Sequence, residues 1–118
     1  AAARMGVGID QVLIGDTTRA GAALAADIVV STLPAGAADP LAALARPRGH
    51  QCLLDVVYAP RDTALRRVFE AGGAVIAEGT EMLIHQGAQQ VRLMTGRDPD
   101  TGAMRTALEA ELARREGR

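Results

Sequence analysis

Four short apolar runs, separated by stretches of helical character, constrain this chain most. They are Gln11–Ile14, Asp27–Thr32, Gln51–Tyr58 and Ala74–Ala77. The second run, Asp27-Ile28-Val29-Val30-Ser31-Thr32, is continuous rather than alternating. Continuous apolarity predicts a strand covered on both faces, as in a parallel sheet. The order reads β-α-β-α-β-α-β, then helix, then helix. Such alternation calls for right-handed crossovers. The expected class is α/β: a partial parallel sheet, flanking helices and two C-terminal helices.

Residues 1–5 read as a helix end that Gly6 or Gly8 would stop. Residues 17–25 are rich in alanine and predict a short helix, weakened by Gly21. Leu33-Pro34-Ala35-Gly36 breaks the second strand. Asp39 then caps a helix with Pro40 at its first position, running to about Arg46. Pro47-Arg48-Gly49 ends that helix. Pro60 stops the third strand, and Asp62 or Thr63 caps a helix that reaches Ala71, with Gly72-Gly73 as its stop. The last two helices are expected at about 80–95 and 101–116. Asp98-Pro99-Asp100 makes the turn between them, with Asp100 or Thr101 as cap.

A sheet of this kind needs a core, and the material for it is light. Of 118 residues, 48% are hydrophobic but only 2% aromatic, so Ala, Val, Leu and Ile must fill the interior. The net charge of −1 supplies no field that would favour nucleic acid or an anionic membrane. The arginines at the end (Arg105, Arg114, Arg115, Arg118) alternate with Glu109, Glu111 and Glu116. A solvated helix with Arg105–Glu109 and Glu111–Arg115 pairs accounts for them. Cys52 sits in an apolar run and reads as a buried core residue of a cytoplasmic protein. A reactive thiol is the sharper alternative, with only His50 nearby. His50 and His85 stand alone and read as exposed, without metal-ligand spacing. No run approaches the roughly 18 apolar residues of a membrane span. The start, Ala1-Ala2-Ala3-Arg4, lacks the form of a signal peptide and reads as the interior of a longer chain.

The helix from Gly79 divides into three sectors at about 100° per residue. Glu81, His85, Gln89 and Arg92 form a polar sector expected to face water. Ile84, Gly87, Ala88, Val91 and Met94 form an apolar stripe whose small residues would let it lie against the sheet. Gly79, Met82, Gln86, Gln90 and Leu93 form a mixed face. A glycine, a methionine and a glutamine at this spacing suit the wall of a cavity, since Met offers a soft apolar contact and Gln both a donor and an acceptor. Packing against another domain explains that face equally, and the readings agree if the cavity lies between domains.

Tyr58 is expected at the carboxyl end of its strand, where ligands gather in open parallel sheets. A tyrosine covering the sheet edge is the plainer alternative. The Leu33–Gly36 loop also follows a strand end, but it is not a phosphate-binding glycine motif. No GxGxxG follows a strand, and no G-x-S-x-G elbow is present.

Two stretches then carry a resemblance. Asp55-Val56-Val57-Tyr58-x-Pro60-x-x-Thr63-x-Leu65, followed by Gly79-x-x-Met82-Leu83-x-x-Gln86-Gly87-Ala88 and Thr95-Gly96, resembles the shikimate dehydrogenase family. The likeness runs from about residue 27 to 112. It implies NADPH-dependent reduction of 3-dehydroshikimate to shikimate, in aromatic amino acid biosynthesis. It implies residues 1–78 as the C-terminal part of a Rossmann-like dinucleotide-binding domain, and 79–118 as two closing helices that pack back toward a substrate domain. By matching position it implies Tyr58 and Gln86 at the substrate. Val56, Gly79 and Met82 would lie near the nicotinamide of NADP, and Thr32, Leu33 and Pro34 would border the cofactor. The family commonly shows Asn-Ala-Thr-Pro/Ser-x-Gly where this chain has Ser31-Thr32-Leu33-Pro34-Ala35-Gly36. Leu33 replaces the threonine hydroxyl, so only backbone contacts carry over.

The family's catalytic Lys and Asp belong to an N-terminal domain, and its pyrophosphate-binding turn lies upstream of these motifs. This chain contains no lysine, since all 13 basic residues are arginine. The expectation is therefore the C-terminal portion of a shikimate dehydrogenase, inactive alone, with no catalytic residue of its own. A non-catalytic α/β binding or oligomerisation module is one alternative, and a quinate-type enzyme another. A partial sheet has an unpaired edge, through which the chain is expected to self-associate or aggregate.

Overall fold

A computed structural model describes residues 2–59 and 61–117. Pro60, expected to stop the third strand, lies outside these residues, as do Ala1 and Arg118. After a 3-10 turn at Ala2–Met5, the elements are α1 (Thr17–Ala23), β1 (Ile28–Ser31), α2 (Asp39–Ala42), β2 (Cys52–Asp55), α3 (Ala64–Ala71), β3 (Val75–Glu78), α4 (Gly79–Thr95) and α5 (Thr101–Glu116). The strands form one parallel sheet in the order β1-β2-β3.

Among the described residues the sheet has three strands, not the four expected. Gln11–Ile14 forms no strand. Leu13 is 81% exposed, and its carbonyl accepts from the Asp16 amide in a turn. Asp16 then caps α1 by accepting from the Arg19 amide. An extended segment gains ladder bonds only beside a strand, and here a local cap takes over.

The expectation that the β1 run is covered on both faces is also overturned. Along each strand, alternate residues point to opposite faces. Val29, Leu53 and Ile76 point to one face and pack with Leu24, Ala38, Ala42, Ala45, Leu65 and Phe69. On the other face, Ile28, Val30 and Val75 are 68%, 54% and 63% exposed. The reason is topological. When strand order follows chain order, right-handed crossovers place every connecting helix on the same side. Cys52, expected in the core, lies on the open face in register with Ile28 and is only half-buried.

Two boundaries differ from the sequence reading. α2 ends at Ala42 rather than near Arg46, and Asp39 is its first residue while Ala38 takes the cap position without a side-chain bond. β2 ends at Asp55, so Tyr58 lies three residues beyond the strand instead of at its end. The cap of α3 falls on Thr63, whose hydroxyl accepts from the Arg66 amide, and that of α5 on Asp100. Gly96 closes α4 at φ 68°, the left-handed conformation that glycine adopts without penalty.

One interior polar residue ties the frame together. The Gln51 amide group donates to the carbonyls of Leu24 (3.0 Å) and Ala26 (2.7 Å), and its oxygen accepts from the Arg48 amide (2.7 Å). Gln51 is buried. It satisfies three backbone groups at the amino edge of the sheet that would otherwise be costly to bury.

Candidate functional site

The parallel register brings the carboxyl ends of all three strands to one edge, with Ser31, Asp55 and Glu78 side by side. The residues singled out in the sequence follow from there. Thr32, Leu33 and Pro34 continue from β1, Val56 and Tyr58 from β2, and Gly79 from β3. Thr32 and Pro34 are exposed, Leu33 and Val56 half-buried, and Tyr58 is 39% exposed. Met82 sits one turn into α4, half-buried, and Gln86 follows a turn later, exposed. Gln90 and Leu93 complete this sector and are open to solvent. A depression of about 580 Å³ is lined by Gln11, Val12, Leu13, Asp16 and Arg19 and contains none of these residues.

Gly79 is buried where α4 leaves the sheet without a connecting loop. A Cβ there would lie 2.7 Å from the Asp55 carbonyl oxygen and 3.0 Å from the carbonyl carbon and oxygen of Val56. The start of α4 therefore rests on the backbone of the strand end that leads to Tyr58. This need for glycine is met inside the chain. Nothing larger fits without moving backbone.

Asp55, quoted in the motif but given no role from sequence, is the buried polar centre of this edge. It is 6% exposed. Its Oδ2 accepts from the Thr63 hydroxyl at 2.7 Å, and its Oδ1 from the Val57 amide at 3.2 Å. Ser31 lies beside it in register, and its hydroxyl oxygen is buried without a partner among the described residues. The signal was present: a carboxylate closing an apolar strand, with a helix-capping threonine eight residues on.

Two ion pairs brace the edge. Arg66 on α3 reaches Glu78 through two bonds of 2.8 and 2.6 Å and also touches Glu70 at 3.1 Å. The hydrogen bonds from Arg66 hold the Glu78 carboxyl below the usual carboxylate range, against partial burial. Arg105 on α5 grips Glu81 on α4 at 3.0 and 2.6 Å, and the same effect lowers the Glu81 carboxyl. Glu81 was expected to face water and Arg105 to pair with Glu109. The hairpin of α4 and α5 instead brings Glu81 and Arg105 together across 24 residues. The Glu111–Arg115 pair forms as read, joined by Arg114, and these two arginines pull the Glu111 carboxyl down to about 2.

The apolar stripe of α4 is used only in its first half, and against α5 rather than the sheet. Ile84 and Ala88 are buried, and Gly87 faces the end of Met104. Val91 and Met94 are exposed.

The edge has an open rim of small and apolar groups with exposed backbone. It carries no arginine at Thr32–Pro34, Val56, Gly79 or Met82. These six residues are uncharged and leave room for an apolar or amide-bearing group, but they supply no cation for a phosphate.

Known proteins similar to this chain include shikimate and quinate dehydrogenases. The family model described as the shikimate 5'-dehydrogenase C-terminal domain matches residues 79–109. A shikimate dehydrogenase (NADP(+)) of Rubrobacter xylanophilus is 44% identical over 96 residues, covering 76% of this chain and 33% of that protein. The solved shikimate 5-dehydrogenase of Mycobacterium fortuitum superposes with a TM-score of 0.71 at 37% identity, covering 90% of this chain and 39% of that one. Quinate dehydrogenase of Corynebacterium glutamicum, solved with NAD, gives 0.71 at 30% identity, covering 90% and 38%. The chain thus spans about a third of the length of the curated relatives it matches. In its motifs, its parallel sheet and its closing helices the chain is similar to the C-terminal part of the shikimate dehydrogenase family.

Proposed function

We propose that this chain supplies the C-terminal part of an NADP-dependent enzyme that reduces 3-dehydroshikimate to shikimate. One observation carries the reading. Parallel register gathers Thr32–Pro34, Val56, Tyr58 and Gly79 at the carboxyl edge, and α4 carries Met82 and Gln86 away from it. Ligands bind at such edges in open α/β sheets. The curated relatives that match are named as NADP(+) enzymes.

In this reading, residues 1–78 close a dinucleotide-binding domain, and 79–118 turn back toward a substrate domain. The Tyr58 hydroxyl and the Gln86 amide bond ring hydroxyls of the substrate. Val56, Met82 and the Gly79 backbone border the nicotinamide of NADP, and Thr32, Leu33 and Pro34 border the cofactor through backbone. The bound cofactor supplies the hydride, and the alkoxide needs a proton donor. None of this chain's candidate residues serves as that donor, so the chain alone should be inactive.

The test is a graft. The chain replaces the corresponding part of the Rubrobacter xylanophilus relative, and 3-dehydroshikimate-dependent NADPH oxidation is followed. The isolated chain should show none and the graft should turn over. Tyr58→Phe and Gln86→Ala in the graft should each lower kcat/KM about ten-fold or more, as expected for lost polar contacts. A folded graft without turnover would sink the reading.

A second reading has a specific observation behind it, the likeness to quinate dehydrogenase over 90% of the chain. The same graft assayed with quinate and NAD decides between them.

The open sheet face supports a further expectation. Ile28, Val30 and Val75, with free strand edges beside them, favour self-association. Sedimentation velocity over a wide concentration range should show species larger than the 12.2 kDa chain. A single monomeric boundary throughout would refute this.

A further inference from the structure

We propose that Asp55 is the positioning residue for the turn that carries Tyr58. The turn leaves β2 with two amides fixed in succession. The Val56 amide donates to the Ser31 carbonyl at 3.0 Å, and the Val57 amide donates to Asp55 Oδ1 at 3.2 Å. Asp55 Oδ2 accepts a hydrogen bond from the Thr63 hydroxyl at 2.7 Å, and Thr63 Oγ in turn accepts from the Arg66 amide at 3.2 Å. One carboxylate thereby joins both ends of the segment around Tyr58, at the last residue of β2 and the cap of α3.

The chemistry requires a carboxylate. Both groups that face Asp55 are donors, so the residue must accept twice. Asparagine accepts on one oxygen only and turns an N–H toward Thr63, leaving the hydroxyl proton without an acceptor. Among the described residues no arginine bonds Asp55, so the buried charge rests on these hydrogen bonds. An uncompensated charge in such a place is costly, and a carboxylate that served only as strand filler would be a poor choice beside Leu or Asn. Tyr58 matters for substrate only through the function proposed above, but its placement by Asp55 is a property of this chain alone.

The sequence supplies its own probe, because Tyr58 is the sole tyrosine and no tryptophan is present. Tyrosine emission therefore reports this turn and nothing else. In the full 118-residue chain, Asp55→Asn and Thr63→Val each break the bond between Asp55 and Thr63 that anchors the far end of the turn, and the loosened turn should exchange its Val57 amide about ten-fold faster, the scale of one lost hydrogen bond to a charged group. Both should raise acrylamide quenching of Tyr58. Thr63→Ser keeps the hydroxyl and should return both signals to the parent values. Leu65→Ala weakens the core without touching the turn, and should leave Tyr58 quenching unchanged under native conditions. Parent-like exchange and quenching in Asp55→Asn would overturn the proposal, as would equal changes in Leu65→Ala. If Asp55→Asn loses its helical circular dichroism, Thr63→Val decides by the same criteria. No substrate or cofactor enters the experiment, so its failure is distinct from failure of the dehydrogenase reading.

Discussion

Phe69→Ala is expected to cost about 3–5 kcal/mol, the range for removing a fully buried aromatic ring. Phe69 is 0% exposed and stands among Leu24, Leu53, Leu65 and small alanines at 38, 42 and 45. It is the one aromatic side chain in that cluster, since Tyr58 is on the outer edge. The alanines around it cannot extend into the space a ring leaves, so collapse is limited and the cavity cost applies in full. Domains of this size are stable by about 5–15 kcal/mol. With one sheet face open, the lower part of that range applies here, and the substitution removes a third of it or more. The urea midpoint should fall by on the order of 2 M, for an m-value near 2 kcal/mol/M. Phe69→Leu refills most of the volume and should cost only about 1 kcal/mol. An alanine variant that loses less than about 1 kcal/mol would mean that this cluster does not hold the fold together.

How far the sequence reaches is clearest at particular residues. The last three helices were legible because each has a start that acts locally. Thr63 and Asp100 bond amides three residues ahead, and Gly79 and Gly96 bound α4. The failures come where partners distant in sequence decide. Gln11–Ile14 has the composition of a strand, but no ladder partner among the described residues. Ile28 and Val30 read as doubly buried, although helices cover only the opposite face. Arg105 had a plausible partner four residues away and found a better one on the neighbouring helix.

The candidate site divides in the same way. Its location was legible, because every strand of a parallel sheet delivers its following residues to one edge. The fine geometry was not. Tyr58 was read as the end of a strand, yet the ladder stops at Asp55, where the carboxylate captures the Val57 amide. A side chain that competes for a backbone donor ends a strand as surely as a proline does, and apolar pattern carries no trace of that competition. Asp55 itself was visible only as a letter in a motif. Its role needs the position of Thr63, which the fold brings within 2.7 Å.

Gly79→Val is expected to destabilise the chain by about 3 kcal/mol or more, and Gly79→Ala by about 1–3 kcal/mol. The sign is not obvious in advance, because two effects oppose. Gly79 is the first residue of α4, and replacing glycine in a helix interior gains up to about 1 kcal/mol, less at an end. Against that, the new Cβ lies 2.7 Å from the Asp55 carbonyl oxygen and 3.0 Å from the Val56 carbonyl. Both neighbours are backbone, held in place by the β-ladder and by the bond from Val56 to Ser31, so neither can swing aside. Gly87 provides the comparison. A Cβ there meets only the Met104 methyl at 3.1 Å, the end of a flexible side chain. Gly87→Ala should therefore be neutral or gain up to about 1 kcal/mol from helix propensity. Urea titration of the two alanine variants reads the contrast directly. In Gly79→Ala, Tyr58 quenching should also rise, since relief of the clash moves the strand end that leads to it. If Gly79→Ala instead gains stability as Gly87→Ala does, the end of β2 yields easily. It is then too soft to set the position of Tyr58, and a bare glycine at the root of α4 has to be explained by what approaches it from outside the chain.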